Sequence, residues 1–149
     1  MRAIIQKVTR AKVEVEGKLI SEIGNGFMVL VAVKETDDVS DIEYIKRKIT
    51  NLRIFEDEDG KMNLSLKDVC GKILLVSQFT LYGDARKGNR PSFSESAKAS
   101  KAEKYYKILI DDLKKEGFDV LSGKFQTHMQ VSLVNDGPVT IILDSERIV

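Results

Sequence analysis

The chain has 149 residues, a formal net charge of +1, one cysteine and one histidine. That length suits one domain whose core stands without disulfides, and a lone cysteine excludes both an internal disulfide and a cysteine-based zinc site within one chain. With 42% hydrophobic and 32% charged residues the composition is that of an ordinary folded domain, and its near-neutral balance exerts no long-range pull on a polyanion, so any nucleic-acid contact must gather its cations locally.

Ala3 to Thr9 is apolar and β-branched, Lys12 to Glu16 alternates, and Leu19 to Ile23 follows a Glu16-Gly17-Lys18 turn, which predicts two or three antiparallel strands. The start of the chain lacks the apolar run of a signal peptide and no later stretch approaches a membrane span, so a cytoplasmic location and no membrane partner are expected. After Gly24-Asn25-Gly26, the unbroken apolar run Phe27 to Val33 predicts a strand covered on both faces. From Val39, apolar residues recur at Ile42, Ile45, Ile49 and Leu52 behind a capping-box-like Ser40-Asp41-Ile42-Glu43, the pattern of a first helix. Leu52 to Phe55 and Met62 to Leu66 flank the acidic stretch Glu56-Asp57-Glu58-Asp59-Gly60, which reads as a solvated hairpin tip; a calcium loop of the EF-hand kind would need a different spacing and a terminal glutamate.

Lys72 to Val76 predicts a second buried strand, and Ala102, Tyr106, Leu109 and Leu113, followed by Gly117, mark one face of a second helix and its C-terminal stop. Three short strands close the chain, near Phe118 to Leu121, Met129 to Val134 and Val139 to Leu143, with Asn135-Asp136-Gly137-Pro138 read as a turn between the last two. The proline there is out of place for a plain hairpin, since it removes a ladder donor where pairing should resume. Together these elements predict an α+β fold with a largely antiparallel, barrel-like curled sheet and two main helices, one domain over residues 1–149.

Candidate chemistry gathers in two segments. Ser77, Gln78 and Thr80 stand at the carboxyl end of a buried strand, where hydroxyls and amides either cap a turn or line a substrate pocket. Arg86, Lys87 and Arg90 share a glycine-containing loop ending in Pro91 and Phe93, which is either a solvated loop or a set of phosphate contacts beside an aromatic able to stack on a base. His128 is the only imidazole, and no triad, nucleophile elbow, P-loop or paired-histidine motif accompanies it. If a reaction occurs, backbone groups and the substrate itself must supply much of the catalysis.

The segments MRAIIQKVTRAKV, NLRIFEDEDGKMNLSL, SQFTLYGD with RKGNRPSF, and MQVSLVNDGPVT, in that order, resemble the D-aminoacyl-tRNA deacylases over essentially the whole chain. The resemblance implies a homodimer that hydrolyses the ester between tRNA and a D-amino acid, or a glycine mischarged on the alanine tRNA, with no cofactor and no metal. It assigns Ser77, Gln78, Phe79 and Thr80 to the catalytic pocket that holds the 3′-terminal adenosine of aminoacyl-tRNA and its aminoacyl group. It assigns Met129, Asn135, Gly137 and Pro138 to substrate binding, the last two as a Gly-cis-Pro whose carbonyls enter the partner's pocket, and Arg86, Lys87 and Arg90 to tRNA binding. Two departures from the family pattern stand out. Lys7 replaces an arginine and cannot form a planar fork, and Gln126-Thr127-His128 replaces smaller residues. The mechanism so implied is positioning of water on a reactive ester, oxyanion stabilisation by N–H groups near Phe79 and Thr80, activation by the vicinal 2′-hydroxyl, and rejection of L-substrates by rigid carbonyls. Two rival readings are an editing domain that removes an L-residue such as serine from threonyl-tRNA, and a non-catalytic RNA-binding module.

Overall fold

The computed structural model of the chain describes residues 1–149. Its organising element is one long strand, β1 (Arg2–Val15), which pairs antiparallel with three others: β2 (Lys18–Ile23), β3 (Gly26–Ala32) and the final strand β8 (Gln130–Asp144). Ala3 to Thr9 and Lys12 to Glu16 are therefore parts of a single strand rather than two. What the alternation hides is a bulge. Thr9 stands without a partner between Val8↔Asn135 and Arg10↔Val134, and the extra residue flips the side-chain parity. Ala3 and Ile5 face one core and Val8, by ordinary alternation, the other; beyond the bulge Ala11 and Val13 consequently join Val8.

From β3 the sheet continues in parallel through β6 (Lys72–Ser77) and β7 (Val120–Ser122). The sheet is thus mixed: its β1 pairings are antiparallel and its β3–β6–β7 side is parallel. It curls until the Ser21 hydroxyl on β2 donates to the Ser122 carbonyl on β7 at 2.6 Å, nearly closing a barrel. β3 and β6 are buried on both faces, as their unbroken apolar runs predict. Phe27, Val29, Val31, Ile73 and Leu75 point to the larger core under the helices, and Met28, Leu74 and Val76 to the smaller one inside the curl. β3 and β6 approach tightly at Gly26, where a Cβ would stand 1.9 Å from the Lys72 carbonyl oxygen.

Two helices cover the outer face. α1 (Val39–Asn51) begins two residues earlier than Ser40-Asp41-Ile42-Glu43 suggests: Asp38 is the N-cap and Asp41, rather than Glu43, reciprocates. Ile42, Ile45 and Ile49 are almost fully buried, each contributing about 1.5–3 kcal/mol. α2 (Ala99–Lys115) buries Tyr106, Leu109 and Leu113 and stops at Gly117, whose φ is +93°. β4 (Phe55–Glu56) and β5 (Met62–Leu64) form the small antiparallel hairpin around the acidic tip.

A second difference from the sequence-based expectation concerns Val131 to Leu143. There is no hairpin. β8 runs in one direction along β1 on both sides of Asn135-Asp136-Gly137-Pro138, and the residues between Asn135 and Thr140 form an excursion opposite the lone Lys7. The proline is tolerated because it stands where ladder pairing has already lapsed.

Gly26→Ala is expected to destabilise the fold by about 2–4 kcal/mol through backbone collision and an unfavourable φ. Gly60→Ala, at φ +72° with nothing within 4 Å of the added carbon, loses only about 1 kcal/mol. Urea unfolding of the two variants checks the contrast.

Candidate active site

β6 leaves the sheet beneath the N-terminal turn of α2, and the segment after β7 returns over the same spot. Between them lies a cavity of about 410 Å³. One wall is Val76, Ser77, Gln78 and Phe79, the opposite wall is Phe125 to Met129 with Val131, and α2 supplies a roof of Ala99 and Ala102 beside Ala97. Ordinary local bonds hold these walls. The Gln78 N–H donates to the Val31 carbonyl at 2.8 Å, the Ala97 N–H to the Val33 carbonyl at 2.9 Å, and the Gly123 N–H to the Leu75 carbonyl at 3.1 Å. Gly123 also leaves room for Met129, whose sulfur would be 2.7 Å from a Cβ there.

Phe79 to Tyr82 form a short 3₁₀ turn. Its first N–H groups, those of Phe79 and Thr80, have no carbonyl within the turn to bond. The Phe79 ring is 54% exposed at the rim, steadied by an edge-on contact with Phe93 at 5.0 Å and by the Ser96 hydroxyl, which donates to the Phe79 carbonyl at 3.1 Å. Across the cavity the turn at 124–127 is closed by the Thr127 hydroxyl donating to the Lys124 carbonyl at 2.8 Å, and Gln126 holds a left-handed φ of +57°. Below it the Tyr106 ring packs against Phe125, and its hydroxyl donates to the Leu75 carbonyl at 2.6 Å. Burial pushes the Tyr106 phenol up to about 12.

The structure brings Ser77, Gln78, Phe79 and Met129 to one cavity, together with His128. Thr80 is exposed on the 3₁₀ turn and its side chain is not among the lining groups. Neither the Ser77 nor the Thr80 hydroxyl bonds to His128, so no nucleophile–base pair is assembled. Gly137 and Pro138, joined by a cis peptide bond, are exposed at the tip of the β8 excursion. They are six residues and more beyond Val131, up to roughly 20 Å along an extended strand, and do not line the cavity of their own chain. The Asn135 side chain faces backbone: its amide donates to the Lys7 carbonyl at 3.0 Å and to the Val139 carbonyl at 2.9 Å. In the basic loop, Arg86 is folded onto Asp84, its Nε and terminal nitrogen bonding the two carboxylate oxygens at 2.9 and 2.8 Å, which pulls that carboxyl down to about 2. Lys87 and Arg90 are exposed and have no carboxylate partner.

What sequence reading missed is the roof and the apolar floor. Ala97, Ala99, Ala102, Phe125 and Val131 carry no reactive group, and only the spacing of small residues on the inward face of α2 hinted at room there.

A family model described as D-Tyr-tRNA(Tyr) deacylase matches residues 4–144. The chain is 57% identical to the D-aminoacyl-tRNA deacylase of Thermosipho africanus over 99% of each chain. A solved structure described as c-Myc DNA Unwinding Element Binding Protein superposes with a TM-score of 0.92 at 44% identity, covering 97% of this chain and 98% of that one. Another, described as a probable eukaryotic D-amino acid tRNA deacylase, superposes at 0.80 with 18% identity over 95% and 97%, and shares the fold. A curled mixed sheet under two helices, with a half-apolar cavity at the end of β6, is the scaffold of an ester hydrolase in this company. The chain belongs to the D-Tyr-tRNA(Tyr) deacylase family.

Because the folded-state pKa of Tyr106 is raised from 10.0 to about 12, its contribution to stability is complete below about pH 10 and is lost as pH rises through 12. Tyr106→Phe is expected to flatten that part of the alkaline stability profile, measured by urea unfolding between pH 9 and 12, while losing about 1 kcal/mol at neutral pH for the bond to Leu75.

Proposed function

We propose that the chain hydrolyses the ester of D-aminoacyl-tRNA, releasing tRNA and a D-amino acid, as a chiral proofreading enzyme of the cytoplasm. The observation that carries this reading is the junction of Ser77, Gln78 and Phe79 with Phe125 to Met129 around one cavity, in a chain of this family. A cavity of 410 Å³ has room for a nucleoside with a small ester, and its half-apolar lining with a few polar groups suits a base and sugar. Phe79, exposed at the rim and buttressed by Phe93, offers a stacking face, and Lys87 and Arg90 offer cations to the incoming backbone, whereas Arg86 is already matched by Asp84.

An aminoacyl ester needs no strong nucleophile. The free N–H groups at the start of the 3₁₀ turn are suited to a developing oxyanion, and the missing side-chain base leaves the substrate's 2′-hydroxyl as the group nearest the ester able to activate water. Thr80, at the start of that turn, orients the ester through its backbone rather than forming an acyl-enzyme. Chirality is enforced from outside the chain: the exposed Gly137-Pro138 tip enters the cavity of a second copy, its carbonyls receive the α-ammonium group, and an L side chain collides with them. The unpaired outer edge of β8, 15 residues long with Val134 and Ile142 exposed, favours such a homodimer, since an open edge of that length invites pairing. Such a filter passes glycine, so glycyl-tRNA, including glycine mischarged on the alanine tRNA, is a substrate too.

The purified protein is expected to deacylate D-tyrosyl-tRNA and spare L-tyrosyl-tRNA. Thr80→Ala retains turnover, and a substrate whose terminal ribose is 2′-deoxy loses at least about a hundredfold. Tyrosyl-tRNA binding with no ester turnover would instead indicate an RNA-binding module, hydrolysis of L-seryl-tRNA an editing domain, and a dead Thr80→Ala with intact tRNA binding a covalent mechanism.

A further inference from the structure

We propose that Asn135 is a positioning residue for chiral discrimination, its side-chain amide fixing the base of the excursion that carries Gly137 and Pro138. This rests on the reading of that tip as the stereochemical filter. Between Gln6↔Thr140 and Val8↔Asn135, β8 has four residues where β1 has only Lys7. Ladder bonds therefore lapse over the stretch that must present carbonyls in a constant direction. The Asn135 amide replaces them. One N–H pair reaches across to the Lys7 carbonyl at 3.0 Å and back to the Val139 carbonyl at 2.9 Å, so a single group pins the excursion to β1 and pins its two limbs to each other. The amide cannot be turned over, because its oxygen would then oppose two carbonyls, and the Thr140 hydroxyl supports the same orientation by donating to that oxygen at 3.3 Å.

The competing tie is the ion pair of Lys7 with Asp136 at 3.5 Å. Asp136 is half exposed there, and a screened pair at that distance holds geometry poorly. The Lys7 ammonium is shared besides with the Phe55 ring, 5.3 Å from its centroid. Two hydrogen bonds from a half-buried amide outrank it, so the tip is held through the Lys7 carbonyl more than through the Lys7 side chain. Asn135 thus acts on substrate through the backbone it clamps.

The test is the ratio of kcat/KM for D-tyrosyl-tRNA over L-tyrosyl-tRNA in single variants of the full chain. Asn135→Asp keeps the shape but opposes a carboxylate to both carbonyls, and the ratio falls by roughly tenfold or more, in line with the effect of small misplacements on positioned groups. Asn135→Ala falls less, Thr140→Val less again, and Asp136→Asn stays within about twofold. Ile45→Val, a core change on α1 far from the excursion, is the control for lost stability: with a comparable shift in Tm it leaves the ratio unchanged. If Asn135→Asp fails to fold, Asn135→Ala carries the same test. A ratio within about twofold of the parent in the folded Asn135 variants overturns the proposal. Pro138→Ala separates the two levels: if it admits L-tyrosyl-tRNA and the Asn135 variants do not, only the positioning role fails, and if it too rejects L-substrate, the filter reading fails with it.

Discussion

The pairing of β8 with β1 along nearly its whole length, interrupted only at Lys7 and at the Thr9 bulge, is the constraint on which the rest of the molecule depends. β1 sets the register of β2 and β3 on one side and of β8 on the other, so the two cores, the helical cover and the closing contact between β2 and β7 all inherit its geometry. Its Thr9 bulge turns Ala11 and Val13 into the smaller core, and that core, with Met28, Leu74 and Val76, forms the floor on which Met129 and Val131 lie. The same strand pair that builds the cavity floor at one end projects Gly137 and Pro138 from its middle. A single register therefore determines both halves of the proposed site and the separation between them.

That separation explains why the chemistry is spare. Within one chain the cavity has hydroxyls, amides, one imidazole and apolar surface, with no assembled nucleophile and base. Catalysis of an already reactive ester by positioned N–H groups and a substrate hydroxyl requires no more. The absence of a hydrogen bond between His128 and either Ser77 or Thr80 is thus consistent with the chemistry rather than a gap in it. The electrostatics follow the same economy: Asp84 neutralises Arg86, leaving Lys87 and Arg90 as the cations of that loop able to meet phosphates.

Much of this was legible in the residues. Unbroken apolar runs identified β3 and β6 as doubly covered strands, helical spacing identified Ile42, Ile45, Ile49 and Tyr106, Leu109, Leu113, and the order of Ser77 to Thr80 and Asn135 to Thr140 identified the family. Other features were illegible for definite reasons. Period-2 alternation cannot distinguish two strands from one strand whose parity a bulge has reversed, so β1 looked double. Asn-Asp-Gly-Pro carries the composition of a reversing turn whether or not the chain reverses, so β8 looked like a hairpin. The resemblance assigns Asn135 to substrate binding, and side-chain type alone does not reveal that its amide is engaged by carbonyls 128 and four residues away along the chain. The alanine roof left no chemical signature at all.

The central claim is that a cavity in one subunit is completed by the excursion of another, and subunit mixing tests it directly. A chain with its cavity filled by Ala102→Phe keeps an intact excursion, and a chain carrying Pro138→Ala keeps an intact cavity. When the second is titrated with an excess of the first, L-tyrosyl-tRNA hydrolysis per open cavity is expected to fall toward the parental level while D-tyrosyl-tRNA hydrolysis persists. L-tyrosyl-tRNA hydrolysis that stays constant however much cavity-filled chain is exchanged in would contradict the account.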